Sequence, residues 1–302
     1  MNSVVMATYN GERYLIDQLK SIRDQTLPPD EVIICDDCST DNTVKIVSDF
    51  INENALSEKW SLHINSMNKG YAKNFMDGIA MASGDVIYLA DQDDIWFKEK
   101  IRDMDKQMWS NENILLLASN VMPFYEGYAP QKVFYEKFFS FKRTIKIKSL
   151  AKWIKPSRPG CTMCFRRELY NTAKKTWFAG YPHDSMLWGV AVLMGKAFVY
   201  NRCTMRFRRH DNNTSSRSEH TNNSRTTRIE REIKISDNMM QYVDKINLAA
   251  TILLDKQNHV YRMREQFIKR HNVVGIMSLL RDIKYYAWTR YWLTDLYYCL
   301  KK

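Results

Sequence analysis

The sequence predicts an α/β protein with a Rossmann-like, doubly wound mixed sheet and a C-terminal helical extension. Two observations favour this class. In the first 120 residues, short apolar runs alternate with segments in which apolar residues recur at helical spacing. This alternation is typical of a largely parallel sheet with helices on both faces. From about residue 228 the apolar residues recur at helical spacing alone. The 302 residues suffice for one large domain or two small ones.

Each strand is predicted from a short run of apolar residues. Each helix is predicted from apolar residues that recur at helical spacing. In the first half, strands are expected at residues 3–7, 31–35, 60–64, 86–90 and 115–119. Helices are expected at residues 14–25, 39–50 and 72–82, and from about 97. Over residues 121–155 the apolar residues recur at no regular spacing. We interpret this stretch as an insertion or acceptor-side segment. Beyond it, strands are expected at 161–165, 197–200 and 204–207, and a helix at 167–175.

The fourth strand is followed directly by three carboxylates, those of Asp91, Asp93 and Asp94. The carboxyl end of such a strand opens into the crevice where α/β sheets bind ligands. Carboxylates this close repel one another, so the group is costly unless a cation or hydrogen-bond donors neutralise it. Oxygen ligands of this kind suit Mg²⁺ or Mn²⁺ holding a diphosphate. The simpler interpretation is a solvated acidic turn that caps the next helix.

Polar residues also follow the other strands of this half. They are Thr8 and Asn10, Asp36 and Asp37, and Asn68 and Gly70. Because parallel strands end at one edge of a sheet, we expect these residues near the carboxylates. The chain has neither a G-x-G-x-x-G nor a Walker phosphate loop, which argues against a dinucleotide-dependent dehydrogenase and a P-loop NTPase.

The charge is unevenly distributed along the chain. Residues 1–120 carry 11 Lys and Arg against 20 Asp and Glu, whereas residues 121–302 carry 34 against 14. A basic second half suggests phosphate or an anionic membrane surface as a partner. No nucleic-acid-binding module is recognisable, so no nucleic-acid partner is expected.

Six cysteines include the pairs Cys35/Cys38 and Cys161/Cys164, which formally resemble zinc half-sites. We favour a structural role, because Cys35 ends a strand and the other pair lies within one, where positions i and i+3 face opposite sides. The sequence opens directly on an apolar strand rather than a signal peptide, so the reducing cytoplasm is expected.

The last part of the chain is basic and aromatic. Residues 211–227 are rich in Ser, Thr and Asn and are expected to be mobile. Residues 276–302 are expected to form an amphipathic helix. Its apolar face comprises Ile276, Leu279, Leu280, Ile283, Tyr286, Ala287 and Tyr291. Such a helix suits either an anionic bilayer surface or packing on the catalytic domain, and the two interpretations have equal weight.

Four segments of the first half together resemble the nucleotide-sugar half of family-2 glycosyltransferases with the GT-A fold. They are residues 6–11, 35–41, 68–70 and 91–96. Residues 160–163, 182–184 and 208–213 resemble the acceptor-side motifs of the same group. The resemblance is strongest to bacterial rhamnosyltransferase-like members that build surface polysaccharides. It implies a nucleotide-sugar-binding half at 1–120, an acceptor half at 121–227 and a helical extension at 228–302.

The resemblance also implies a role for each motif residue of the donor side. Thr8, Asn10, Asp36 and Asp37 would contact the nucleotide, the two aspartates near its base. Gly70 would let the backbone pass close to it, and Lys73 and Gln92 would contact the donor as well. Asp91 would approach the ribose and the metal. Asp93 and His210 would hold the metal or its diphosphate. Simpler interpretations are helix caps for Asp36 and Asp37, a solvated helix face for Lys73 and an exposed loop for His210.

Asp184 is the expected general base, and His183 is expected to contact substrate beside it. A carboxylate can take the proton of the acceptor hydroxyl during an inverting transfer. Relatives commonly follow this pair with two aromatics, whereas this chain has Ser185 and Met186. The simpler interpretation of Asp184 is an N-cap.

The function implied is a metal-dependent inverting glycosyltransferase of bacterial surface polysaccharide (O-antigen or capsule) synthesis. It would use Mg²⁺ or Mn²⁺ and a dTDP- or UDP-sugar, with a glycan or lipid-linked acceptor. The resemblance implies a hexosyltransferase and, within that class, favours a rhamnosyltransferase. It would be peripheral at the inner face of the cell membrane. The alternatives are a nucleotidyltransferase, which usually shows a Gly-rich phosphate loop near the first strand, and a non-catalytic GT-A-like scaffold.

Overall fold

The computed structural model describes residues 1–126, 143–210, 222–243 and 248–301. In that part of the chain one sheet has the order β3-β2-β1-β4-β8-β6-β9-β5, and β7 pairs with β9. Its strands are β1 Asn2–Thr8, β2 Glu31–Asp36, β3 Trp60–Ile64, β4 Val86–Asp91, β5 Ile95–Trp96, β6 Leu116–Tyr125, β7 Thr144–Lys146, β8 Met163–Arg166 and β9 Ala197–Arg209.

The predicted parallel first half is confirmed. β1 pairs in parallel with β2 and β4, and β2 pairs in parallel with β3. The helices between them are α1 Leu15–Arg23, α2 Thr43–Glu53 and α3 Tyr71–Met81, and α4 Lys100–Ser110 follows β5. Alternate residues of each strand face opposite sides. Val5 therefore packs in one core with Phe75 of α3, whereas Val4 packs in another with Leu19 of α1.

The sheet is mixed because β8 lies antiparallel between β4 and β6. β8 starts later than predicted, since residues 160–162 form a 3₁₀ turn. The prediction of two strands at 197–200 and 204–207 is wrong, because β9 is continuous through the polar Asn201 and Arg202. The register with β6 shifts near this interruption of the apolar pattern. Residues 121–227 also supply α5 Arg167–Ala173 and α6 His183–Leu193.

Part of the aperiodic segment 121–155 belongs to the sheet and core. β6 continues to Tyr125, β7 adds a short strand, and a 3₁₀ turn over Leu150–Ile154 buries Trp153 completely. Its indole Nε1 donates a hydrogen bond of 2.6 Å to Gln257 in the C-terminal helices. Residues 127–142 lie outside the described residues.

The C-terminal part is helical, as predicted. It comprises α7 Asn222–Val243, α8 Leu248–Lys269, α9 Val273–Ser278 and α10 Arg290–Leu300. α7 begins before the predicted boundary at residue 228, and residues 211–221 of the segment expected to be mobile lie outside the described residues. α7 is shared between two cores. Ile229 and Ile233 pack with α8 and α10, whereas Ile235 and Met239 pack in the sheet core that contains Val5 and Phe75.

The prediction of one amphipathic helix over 276–302 is wrong. α9 is followed by a 3₁₀ helix at Leu279–Tyr285 and then by α10. Because the chain turns between these pieces, the expected apolar face is divided: Ile276 and Leu279 are buried and Leu280 is exposed.

A buried ionic group ties the C-terminal helices together. Arg225 of α7 and Arg264 of α8 each donate from Nε to Asp295 of α10, at 2.8 Å. Removing one partner of a buried pair typically costs about 3–5 kcal/mol. In the part of the chain that is described, no helix is both long enough and apolar enough to cross a bilayer.

Candidate active site

Asp36 and Asp37 close the carboxyl ends of β1 and β2. Asp36 is fully buried and accepts hydrogen bonds from the Thr8 hydroxyl at 2.8 Å and from both the backbone and the hydroxyl of Ser39. Asp37 accepts from the backbone N–H groups of Lys69 and Gly70, both at 2.8 Å. The two carboxylates therefore fix the loops that surround the site. Their contact with the base of a nucleotide stays a prediction.

Gly70 holds the loop before α3 in a conformation that other residues rarely adopt. Its φ is +81°, in a region that a Cβ atom disfavours. Lys73, one turn into α3, pairs with Asp77 on the same helix. The Lys73 ammonium is therefore held along the helix, and its predicted contact with the donor is untested.

Gln92 joins the loop after β4 to the loop after β1. Its amide accepts from the Tyr9 N–H at 2.9 Å and donates to the Tyr9 carbonyl at 3.0 Å. Asn10 has a positive φ of 47° and accepts from the Thr40 N–H at 2.9 Å. This arrangement leaves Tyr9 47% exposed. Sequence reasoning missed this aromatic surface, although Tyr9 lies between two residues that it had singled out.

Asp93 lies beside His210, and the roles that the resemblance implies for them stay predictions. Its Oδ2 is 2.9 Å from His210 Nε2, and the His210 ring packs 4.8 Å from that of Tyr14. Arg208 holds the acidic loop from β9. It donates from Nε to the Asp93 carbonyl at 2.8 Å and from its backbone N–H to Asp94 Oδ1 at 3.1 Å.

Asp91 and Asp94 form a compact group with Cys161, in which one ligand atom from each lies within 4.8 Å of the others. Burial, and then repulsion from Asp93, raises the pKa of Asp91 to about 7. Burial also raises the pKa of Asp94, whose Oδ2 has no hydrogen-bond partner among the described residues. Sequence reasoning gave Asp94 no role of its own, because nothing in the sequence shows that it is buried.

Lys100 is the positive group beneath these carboxylates. It is buried, its Nζ donates to the Cys161 carbonyl at 2.8 Å, and it lies 3.8 Å from the centroid of the Trp96 ring. Burial lowers the pKa of Lys100 to about 8. Sequence reasoning missed Lys100, and no sequence signal distinguishes it from an ordinary surface lysine.

The acidic group fits a divalent cation. It combines an unpartnered buried carboxylate oxygen with carboxylates whose repulsion raises the pKa of Asp91. A bound cation would give the unpartnered oxygen a ligand partner and would reduce the repulsion between the carboxylates. The pKa of the Cys161 thiol is raised by burial, so Cys161 stays protonated and is a poor thiolate ligand. Oxygen atoms and the nearby imidazole are the donors available, and these suit Mg²⁺ or Mn²⁺. The other pair that formally resembles a half-site, Cys35/Cys38, belongs to no metal-ligating group within the described ranges.

Asp184 lies in the first turn of α6, and Oδ1 accepts from the Ser185 N–H at 2.7 Å. Gly160 packs directly against it, since a Cβ at that position would lie 2.9 Å from the Asp184 Cβ. The negative charge of Asp184 contributes to the raised pKa of Asp91. The acceptor-side motif and the acidic donor-side motif therefore meet at one edge of the sheet.

Tyr71, the first residue of α3, stands between these two motifs and was also missed from the sequence. Partial burial and the Asp184 and Asp91 carboxylates raise the pKa of its hydroxyl, whereas Arg231 of α7 opposes the shift. The ring is 49% exposed. The Tyr71 hydroxyl is therefore close to donor-side, acceptor-side and C-terminal residues at once.

His183 is buried beneath the site rather than displayed at its surface. Its ring stacks on Phe75 with centroids 4.0 Å apart, and 5% of the residue is exposed. Burial lowers the pKa of His183 to about 4. The ring is therefore neutral at pH 7, and its predicted contact with substrate is untested.

His183 should make the fold sensitive to acid. Because its pKa is lower in the folded than in the unfolded chain, the unfolded chain binds more protons between about pH 6.5 and pH 4, and stability falls as the pH decreases through that range. In His183→Phe, the loss in free energy of unfolding between pH 7 and pH 5 should be smaller by about 2 kcal/mol. Urea unfolding at the two pH values measures it. His63→Phe, at an exposed position, is the control; equal losses in wild type and His183→Phe would refute the assignment.

Comparison with known proteins agrees with this geometry. Residues 3–173 match the family described as Glycosyl transferase family 2. The protein described as dTDP-rhamnosyl transferase RfbG, from Shigella flexneri, is 32% identical over 230 residues, which cover 69% of this chain and 72% of the relative. The Escherichia coli protein described as UDP-Glc:alpha-D-GlcNAc-diphosphoundecaprenol beta-1,3-glucosyltransferase WfgD is 31% identical over 141 residues, which cover 45% of this chain and 53% of the relative.

Among solved structures, Staphylococcus aureus TarS 1-349 in complex with UDP-GlcNAc is similar over 98% of this chain and 89% of its own. The TM-score is 0.62 at 19% sequence identity. A likeness at this identity shows the fold rather than the substrate. The resemblance found in the motifs is thus confirmed: the chain belongs to glycosyl transferase family 2 and has the GT-A fold.

Proposed function

We propose that this chain is a metal-dependent, inverting glycosyltransferase. It moves a sugar from a nucleoside diphosphate to a glycan or lipid-linked acceptor in the synthesis of a bacterial surface polysaccharide. One observation carries the proposal: Gly160 packs directly against Asp184, and the next residue, Cys161, lies within 4.8 Å of the Asp91 and Asp94 carboxylates. An acid group suited to a cation and a carboxylate suited to proton transfer thus share one crevice.

The donor would lie along the carboxyl edge of β1, β2 and β4. Thr8, Asn10, Asp36, Asp37, Gly70 and Gln92 shape this edge, and the exposed Tyr9 ring offers a face on which a base can stack. Asp91 and Asp93, with His210 beside them, would hold Mg²⁺ or Mn²⁺. A bound cation neutralises the diphosphate and the charge that grows on it as it departs.

Asp184 would act as the general base. Its carboxylate takes the proton of the acceptor hydroxyl as that oxygen attacks the anomeric carbon from the side opposite the diphosphate. The oxygen–carbon bond forms, the bond to the nucleoside diphosphate breaks, and the configuration inverts. The close contact with Gly160 fixes the base, because any side chain at position 160 would displace Asp184.

The names of the relatives guide the choice of substrates. RfbG is described as a dTDP-rhamnosyl transferase, WfgD uses UDP-Glc and a diphosphoundecaprenol-linked acceptor, and TarS binds UDP-GlcNAc. We therefore propose a dTDP- or UDP-sugar donor, with dTDP-rhamnose first among the candidates, and a lipid-linked acceptor.

A donor screen tests the proposal. The protein is incubated with a panel of nucleotide sugars and Mn²⁺, with a parallel set in excess EDTA, and the released phosphates are identified. Metal-dependent release of nucleoside diphosphate from one donor is expected. When inorganic diphosphate is added, a nucleotidyltransferase would instead convert the donor to a nucleoside triphosphate and a sugar 1-phosphate, and a scaffold protein would form none of these products.

We further propose that the enzyme works at the inner face of the cell membrane. Leu293, Tyr297 and Leu300 are more than half exposed, and they repeat along one side of α10. The basic residues Arg290 and Lys301 lie at either end of this helix. An exposed apolar face flanked by cations suits an anionic bilayer surface.

Substitutions on this face should weaken membrane binding without unfolding the chain. Leu293→Ser with Leu300→Ser should reduce sedimentation with phosphatidylglycerol vesicles several-fold, because both apolar contacts are lost. Added salt should reduce binding of the wild type by screening its cations. Met81→Ser with Ile145→Ser, exposed elsewhere, is the control. If the wild type ignores these vesicles at low salt, the membrane proposal is wrong. Truncation is unsuitable, because Trp292 and Asp295 are buried.

A further inference from the structure

Helix α7 presents a row of cations beside the loop that leads to Asp184. Arg228, Arg231 and Lys234 recur at three-residue spacing, and all three are exposed. The neighbouring acids of α7 are paired elsewhere: Glu230 with Lys269 at 2.9 Å, and Glu232 with Arg264 at 3.1 Å. The row therefore keeps its positive charge.

Arg231 reaches the acceptor side of the site. Its Nη2 donates to the Gly180 carbonyl at 3.0 Å, in the loop just before α6. The positive charge of Arg231 lowers the pKa of the Tyr71 and Tyr181 hydroxyls, whereas the negative charge of Asp184 raises the pKa of the same two groups. Lys234 lies over the Phe178 ring of the same loop, with Nζ 4.2 Å from the centroid. α7 thus forms one wall of the acceptor side.

Most of the hydrogen-bonding capacity of Arg231 is available to a ligand. Within the described ranges, its guanidinium makes one hydrogen bond, to Gly180. A guanidinium offers five N–H donors in a planar fork that matches the oxygens of a phosphate, and a nearby ammonium adds charge. A neutral sugar hydroxyl would not need two cations at this place.

We propose that Arg231, assisted by Lys234, binds the diphosphate of a lipid-linked acceptor and so selects acceptors that carry phosphate next to the reacting sugar. The inference rests on the proposed function and deepens it by naming a specificity-determining residue. It also assigns a task to the C-terminal helices: they complete the acceptor site of the catalytic domain.

The test is a calorimetric titration with geranyl diphosphate, a soluble lipid diphosphate, in the presence of saturating UDP or dTDP and Mn²⁺. The nucleotide keeps the probe out of the donor site, and the titration is repeated without it. Arg231→Gln is the informative variant, because its amide can still donate to the Gly180 carbonyl while the charge is lost. Binding of geranyl diphosphate should weaken about tenfold or more, as expected for loss of a charge-assisted hydrogen bond. Nucleotide affinity should not change.

Three comparisons complete the test. Arg102→Gln makes the same substitution on α4, at an exposed arginine that pairs with Asp103, and should bind the probe like the wild type. Geraniol, which has the same chain without phosphate, should show no dependence on residue 231. Phosphatidylglycerol vesicles distinguish an acceptor diphosphate from a membrane headgroup: if Arg231→Gln loses vesicle binding but not geranyl diphosphate binding, the inference is wrong.

The inference would also be overturned by an unchanged affinity of Arg231→Gln for geranyl diphosphate, or by an equal loss of affinity in Arg102→Gln. These outcomes are independent of the proposed transferase activity. The donor screen and the nucleotide titration can refute the transferase activity. The comparison of the arginine variants can refute the contact between Arg231 and the acceptor diphosphate.

Discussion

Replacing Asp184 with asparagine is expected to lower the rate of sugar transfer by ~10²–10⁴-fold, the usual effect of losing a general base. Asparagine keeps the size of the side chain and can still accept a hydrogen bond from the Ser185 N–H, so the first turn of α6 should be preserved. Nucleotide affinity should stay within a few-fold, because the residues that we propose to bind the nucleotide are unchanged. Transfer assays and a titration with nucleoside diphosphate measure the two quantities separately.

The matched control is Asp49→Asn, on the outer side of α2, where Asp49 pairs with Lys45. It should leave both quantities unchanged. If transfer and nucleotide binding fall together in Asp184→Asn, the residue is structural or belongs to the donor site. If neither falls, the base is another residue.

Replacing Asp93 with alanine is expected to abolish transfer and metal-dependent nucleotide binding. The side chain pairs with His210, and its charge raises the pKa of Asp91, so its loss removes a carboxylate that we propose as an oxygen ligand of the cation. The thermal unfolding midpoint should stay within a few degrees, since Arg208 still holds the loop through the carbonyl of residue 93. Titration of nucleoside diphosphate with and without Mn²⁺, followed by a transfer assay, provides the measurement.

The control for this prediction is Asp85→Ala, an exposed carboxylate at the opposite end of β4. It should bind nucleotide and transfer sugar normally. Full activity of Asp93→Ala, or full activity of the wild type in excess EDTA, would disprove the metal assignment.

The donor side could be predicted from the sequence because its elements are local. Each strand from β1 to β4 is a short apolar run, and parallel pairing brings the residues that follow these runs to one edge. That placed Thr8, Asp36 and Asp91 together without any structure. The helical C-terminal part was also predictable, because its apolar residues recur at helical spacing.

The remaining features depend on contacts between residues distant in sequence. The insertion of β8 between β4 and β6 has no local signal, since antiparallel pairing depends on its partners. The burial of Lys100 under the carboxylates and the approach of Arg231 to Gly180 likewise arise from tertiary packing. The break between α9 and α10 was missed because the apolar spacing continues through the turn.

The shared helix α7 limits how this chain can recombine with its relatives. Met239 of α7 packs against Gly189 of α6, where a Cβ would lie 3.3 Å from the Met239 methyl carbon. The other end of α7 supplies Arg225 to the buried carboxylate of Asp295. A chimera that joins this catalytic domain to the C-terminal helices of another enzyme must therefore exchange both sets of contacts together. A crossover placed before α7 separates Gly189 from Met239, and one placed after it separates Arg225 from Asp295, so neither end of this helix is a neutral junction.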